Sequence, residues 1–220
     1  MNEAAEQLLS KQELAPSLKI LLVLTLLSLL PAILISMTSF VRTVVVLSFV
    51  RQGVGTAQTP PSQVIVGLSI FLTLFTMAPI FNEMKEKAFD PYMLGQMTDM
   101  QALETASLPL KRFMLRQTRE ADLLLFYDAT KTQLPKAPED VPLKMALPAF
   151  VISELTTAFH MGALILLPFL VVDLAVASLL MTMGMMMVPP ATLSLPIKLI
   201  LFVLVDGWHL VAGALMKSFV

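Results

Sequence analysis

Four long apolar runs alternate with polar stretches along the 220-residue chain. The first covers about Ile20 to Val41, the second about Val64 to Phe81, the third about Leu155 to Val176 and the fourth about Leu193 to Met216. Each comes near the roughly 20 residues that a helix needs to cross the hydrocarbon core of a bilayer. Pro31 and Pro168 fall inside the first and third runs and predict kinks there. Between the first two runs, "RTVVVLSFVRQGVGTAQTPPSQ" (42–63) reads as a short loop, with Gly53, Gly55 and Pro60-Pro61 as breakers.

The stretch from Glu83 to Lys144 has a different texture, because it holds most of the charges, yet it also reads as helical. Asp90-Pro91 fits an N-cap followed by proline in the first turn. "TDMQ" (98–101) fits a capping box. In "LPLKRFMLRQTREADLLLFYDATK" (108–131), Leu110, Phe113, Met114, Ala121, Leu124 and Leu125 fall on one helical stripe. Arg112 with Arg116, and Arg116 with Glu120, are i,i+4 neighbours on that helix. About 60 residues bury only a thin core unaided, so the stripe is expected to pack on neighbouring subunits. The pattern predicts an all-α, polytopic membrane-type protein. Its parts are a polar segment (1–19), a first apolar helical pair (20–82), a charged helical insertion (83–145) and a second apolar pair (146–220).

Composition sharpens this. Hydrophobic residues make up 56% and charged residues 14%, which is not the balance of a soluble domain. No charge stands between Lys19 and Arg42, or between Arg51 and Glu83, and uncharged runs flank Asp173 on both sides. A net charge of −1 gives no argument for nucleic acid or a polybasic lipid anchor. The absence of cysteine excludes disulfides, thiolate metal sites and thiol nucleophiles. Glu3, Glu6 and Glu13 stand where a signal peptide carries positive charge, so the N-terminus is not expected to be a cleavable signal. Arg42 and Arg51 place the first loop in the cytoplasm by the positive-inside rule. The N-terminus, charged insertion and C-terminus then face outward, and the loop between the third and fourth runs returns to the inner side.

That last loop carries the strongest candidate chemistry. "MTMGMMMVPP" (181–190) gathers Met181, Met183, Met185, Met186 and Met187 around Gly184, and ends in helix-stopping Pro189-Pro190. Plain apolar filling is one reading. Methionine's unbranched thioether chain, which re-packs around variable shapes, allows a second: a ring of copies that seals a pore yet parts for a passing chain. Capture of a soft metal such as Cu(I) is a third. The ionisable residues in apolar surroundings are Glu154, Asp173, Lys198 and Asp206. Charges at membrane depth usually face a partner or water, so Asp173 and Asp206 are expected as buried polar groups. Glu154 and Lys198 are expected as a pair across a subunit boundary, against the alternative that each snorkels at an interface. His160 and His209 stand apart from one another and lack a ligand spacing, so no metal site is assigned. No GxxxxGK, GxSxG or HExxH motif occurs, so neither catalytic residues nor a cofactor is expected.

Three stretches, "RTVVVLSFVRQGVGTAQTPP" (42–61), "FMLRQTREADLLLF" (113–126) and "MGMMMVPPATLSLPIKLILFVLVDGW" (183–208), resemble the FliP family of bacterial flagellar protein-export gates. The likeness covers nearly the whole chain after about Leu34. Residues 1–19 match no family pattern, and Gly53-Val54 replaces the more usual Ala-Leu. "GTAQTPP" and "LFVLVDGW" look more like the flagellar branch than the related virulence-type secretion branch. The resemblance implies a non-enzymatic ring subunit of the flagellar basal body in the bacterial inner membrane. Five copies would assemble with FliR and FliQ, beside FlhA and FlhB, and pass unfolded flagellar subunits through a central pore. It also implies that the assembled core stands largely on the periplasmic side of the membrane plane. Met185 to Met187 would then correspond to the family's pore-closing gasket, with Met183 beside them. Two readings of other kinds compete with this: an ion or metal transporter using the methionines with Asp173 and Asp206, and a purely structural scaffold.

Overall fold

The computed structural model describes residues 11–56, 58–132, 135, 137 and 140–219. The described residues form helices and turns without a strand. Two units are distinct, residues 1–36 and 37–220. The first is represented by α1 (Lys11–Met37). This helix begins well before Ile20, because Lys11, Gln12, Glu13, Leu14 and Ala15 are all good helix formers. Residues 1–10 of the expected polar segment, with Glu3 and Glu6, lie outside the described residues.

The second unit opens with a correction. Residues expected as a loop from Arg42 onward form α2 (Phe40–Val54), a helix of 15 residues. Thr43, Val46, Leu47, Val50 and Val54 recur at helical spacing and are buried, mainly along the helix Leu143–Thr182. The helix stops only at Gly55, whose φ of +86° is open to glycine at little cost. Arg42 and Arg51 had suggested a loop. Arg42 instead points into the protein, and Arg51 ends the helix with a 3.0 Å bond from Nη1 to Ser62 Oγ. Neither of the two charges used to orient the chain is therefore a loop charge.

α3 (Ser62–Met84) runs through a π-helical turn (Lys85–Phe89) into α4 (Asp90–Met93). Asp90-Pro91 does not start a helix as expected. Both residues before the proline keep right-handed helical backbone, so the chain passes straight through, as proline in a first turn allows. The capping box at Thr98 is as read: Thr98 Oγ1 accepts from Gln101 N, and Gln101 Oε1 accepts from Thr98 N at 3.0 Å. It starts α5 (Asp99–Gln117). Extended backbone at Thr118 and Arg119 then splits the expected single helix, and α6 follows (Glu120–Thr130). The break rotates the stripe. Phe113 and Met114 are buried, whereas Leu124 and Leu125 are exposed and Asp122 and Tyr127 turn inward. Arg116 and Glu120 accordingly stop being helical neighbours.

α7 (Leu143–Thr182) has 40 residues and passes through Pro148 and Pro168. At 1.5 Å per residue it is about 60 Å long, roughly twice the hydrocarbon thickness. Its first part is structural core. Phe150 packs with Met77, Phe113 and Met114, and Met145 and Ala146 pack with Tyr127 and Val141. The buried half of the α5 stripe is thus covered by the chain's own α3 and α7, not by a neighbouring subunit. Farther along α7, Ala158 and Phe169 join Val46, Leu47 and Val50 of α2. The close approach requires Gly162, where a Cβ would stand 2.2 Å from the Phe49 ring. α8 (Pro190–Leu204) and α9 (Gly207–Lys217) finish the fold and meet at 63°. Asp206 makes that bend with a left-handed φ of +51°.

By length and composition, the continuous run Ser62–Met93 and the helix Leu143–Thr182 can each cross a membrane, and the bent α8–α9 pair is a third candidate. All three expose large apolar side chains, among them Phe71, Phe75, Leu174, Val203 and Leu204.

Candidate functional site

The methionine cluster sits at a helix end. α7 closes at Thr182, Gly184 turns the chain with φ of +76°, and Pro189 leads into α8 with Pro190 in its first turn. Backbone bonds from Gly184 N to Met181 O (3.0 Å) and from Met185 N to Leu180 O (2.9 Å) fold the segment back on the end of α7. Proline has no N–H and its φ is preset, so Pro190 starts α8 without leaving a donor unsatisfied. Gly184, Pro189 and Pro190 lie at the turn and at the start of α8. The thioether chains have little protein cover at the tip: Met186 is 83% and Met187 95% exposed, with Met181 and Met183 also exposed and Met185 less so, at 40%. Adaptable apolar side chains are held at the tip of a hairpin by a rigid backbone.

Within one chain Glu154 and Lys198 each take another partner, which leaves a Glu154–Lys198 pair only across a subunit boundary. Glu154, fully buried on α7, receives Arg42 of α2: Nε donates to Oε2 at 3.0 Å and Nη2 to Oε1. Lys198 on α8 instead donates to Asp173 Oδ2 on α7 at 2.6 Å. Geometry decides this. Lys198 is 25 positions from Asp173, across one hairpin, and the turn brings α8 back along the distal half of α7. Glu154 lies five helical turns farther down, beside α2. Asp173 is only partly buried, and Asp206 is exposed at the α8–α9 bend, so neither is the fully buried polar group expected. His160 and His209 are both exposed. Among the described residues no group of three or more His, Asp and Glu side chains is placed to hold a metal ion.

Arg42 is what the sequence reading missed. All five of its N–H donors are used: three bonds beyond the remaining Glu154 contact go to Ser218 O (2.8 Å), Ser218 Oγ (3.0 Å) and Gln117 Oε1 (3.1 Å). Its guanidinium carbon lies 4.0 Å from the centre of the Phe219 ring. One side chain thereby ties α2, α5, α7 and the end of α9 together. Arginine's rigid, always charged fork suits this; lysine's point charge does not. A signal was present. Arg42 is the lone charge between Lys19 and Arg51, the same isolation that singled out Glu154.

A second polar cluster joins the insertion to α7. Arg119 holds Asp122 in a fork, Nε to Oδ2 at 2.7 Å and Nη2 to Oδ1 at 2.8 Å, while Ser153 Oγ donates to Asp122 Oδ2 and accepts from Arg119 N at 3.0 Å. The Arg119 hydrogen bonds hold the Asp122 carboxyl below its ordinary pKa against the opposing effect of burial, with help from Ser153. A depressed carboxylate contributes stability above its unfolded pKa of about 4 and loses it as pH falls through the lower folded value. The contribution is therefore present at neutral pH and disappears below about pH 4. Thermal unfolding of the detergent-purified chain should show an acid limb below that pH. Asp122→Asn should flatten the limb while lowering stability at neutral pH, and an unchanged limb would remove Asp122 as its source.

The FliP family matches residues 23–215, which include Arg42, Gln117, Glu154 and the methionine turn. The chain belongs to the FliP family. It is 51% identical over 203 residues to the flagellar biosynthetic protein FliP of Pectobacterium carotovorum, covering 92% of this chain and 79% of that one. It is 49% identical to the FliP protein of Bacillus subtilis over 94% of each chain, and 52% identical to that of Caulobacter vibrioides over 89% of this chain and 74% of that one. The family makes this chain a membrane component of the flagellar export apparatus, with a role in flagellum assembly, and not an enzyme.

Proposed function

We propose that this FliP-family chain is a core pore-forming subunit of the flagellar type III export gate, whose methionine turns from several copies meet at the axis. One observation carries the reading: Met186 and Met187 stand uncovered, with the partly exposed Met185 beside them, on a rigid, proline-closed turn at the end of a 40-residue helix. In a lone chain that exposure wastes apolar surface. In a ring, five such turns supply a soft plug that yields to unfolded subunits and closes behind them. FliR and FliQ complete the core and FlhA and FlhB stand beside it, in the basal body at the bacterial inner membrane. The core stands largely on the periplasmic side. A helix twice as long as the bilayer is thick, with its first part packed against a charged helical insertion, suits such a raised position.

The chain has no cysteine, so a single introduced thiol is unambiguous. Met187→Cys should form a disulfide with a single-cysteine flagellar export substrate stalled in transit. A thiol at Val203, also exposed but on the flank of α8, should not. Equal cross-linking at both positions, or none at 187 with a stalled substrate present, would sink the axial placement. Saturable binding of Cu(I) by the purified chain, abolished when Met185, Met186 and Met187 are all replaced by alanine, would favour metal transport instead.

A further inference from the structure

A groove of about 460 Å³ opens between α3, α5 and the end of α9, away from the methionine turn. Its wall is apolar, with Phe75, Pro79, Ile80 and Met216, and its rim carries Arg112, Arg116 and Lys217. Arg112 and Arg116 stand one turn apart on α5 and so share a face. One carboxylate, Glu83, lines the groove, and it is already engaged: Oε1 accepts from Arg112 Nη2 at 2.5 Å and from Lys87 Nζ at 2.7 Å. Arg116 and Lys217 have no carboxylate partner among the described residues. The cations therefore exceed the local negative charge.

The apolar wall continues beyond the groove. Phe71, Phe75 and Pro79 follow one another at four-residue steps along α3, so they form one stripe that ends at Glu83. Phe71 and Phe75 are both more than 70% exposed. This stripe lies on a run long and apolar enough to cross a membrane. An unmatched pair of cations at the head of an exposed apolar stripe is the complement of one particular molecule, with a phosphate at one end and hydrocarbon at the other.

We infer that this groove binds an anionic phospholipid, with its phosphate between Arg116 and Lys217, Arg112 steadied by Glu83 beside it, and an acyl chain along Phe75 and Phe71. The lipid would neutralise the rim and cover aromatic surface that the chain leaves open. A cation near a lipid phosphate contributes about 1 kcal/mol, so removing two weakens binding roughly 30-fold.

The test is a titration of the full chain, purified in detergent, with phosphatidylglycerol and with phosphatidylcholine of the same acyl chains, read by native mass spectrometry. Phosphatidylglycerol should bind at least about tenfold more tightly. Arg116→Gln with Lys217→Gln should lower its affinity roughly 30-fold, and Arg116→Lys alone should keep most of it. Equal affinity for the two lipids would overturn the proposal, because it would reduce the groove to an apolar surface. Glycerol phosphate binding as tightly as the whole lipid would also overturn it, leaving a free-anion site without the acyl contact. If the double variant binds lipid normally but loses its copies of itself, the groove is an interface between chains. Should that variant fail to fold, Phe75→Ala decides: unchanged phosphatidylglycerol affinity would remove the acyl-chain placement.

Discussion

Arg42→Ala should cost about 3–5 kcal/mol of stability, because it leaves a buried carboxylate without its counter-charge. Glu154 is 0% exposed and Arg42 supplies both of its hydrogen-bonded contacts. The loss does not stop there, since Ser218 and Gln117 also lose a donor and Phe219 its cation. In a chain of this length the effect corresponds to a drop of about 10 °C in Tm, or to loss of the folded chain from detergent extracts. Arg42→Lys keeps the charge but not the fork, and should fall between alanine and the wild type. The pair itself contributes little net stability once desolvation is counted, so Arg42→Met with Glu154→Leu should recover much of the loss. Thermal unfolding of the four proteins tests this. A double variant no better than Arg42→Ala would mean that the bonds to Ser218 and Gln117, and not the buried charge, dominate the site.

Replacing Met185, Met186 and Met187 together with alanine should leave the chain folded and make the assembled gate leak. Exposed side chains away from packed features change stability by only about 0.5 kcal/mol each, and Met186 and Met187 are nearly fully exposed. At a constriction lined by several copies, the same truncation removes volume at one level, and neighbours fill such a void only partly. The void is then a water path. Small-ion conductance of cells expressing the triple variant should rise, while the recovered complex stays near the wild-type amount. Leucine at the three positions conserves volume and should seal better than alanine, at the expense of slower export because leucine is stiffer. A scaffold role for the turn gives the opposite order, with less complex and no leak from what remains. Impermeable, intact alanine rings would end the gasket reading.

The two experiments probe different layers, and the layers differ in how far the sequence exposes them. The methionine turn was legible because its parts are local. Gly184, Pro189 and Pro190 act on the backbone within a few residues, and each lies at the turn or at the start of the next helix. The Thr98–Gln101 capping box was legible for the same reason. Errors gathered where a residue's meaning depends on what lies opposite. Arg42 and Arg51 look alike in the sequence, yet one is 2% exposed and the other ends a helix at the surface. The stripe across 108–131 has helical period throughout, but extended backbone at Thr118 and Arg119 turns its two halves to different neighbours.

The sequence by itself determined that the chain is helical and membrane-bound, roughly where its apolar runs lie though not where their helices begin and end, and which family it belongs to. Those properties follow from composition, period and local backbone preference, which act over one or two helical turns. Only the tertiary structure decided the partners within the chain: Glu154 with Arg42, Lys198 with Asp173, and the α5 stripe with the chain's own α7. A charge buried in low dielectric must find its counter-charge within a few ångströms, but nothing in residue spacing says which of several candidates will be there. That is set by how α2 lies along a 40-residue helix and how the hairpin at Gly184 returns α8 beside it.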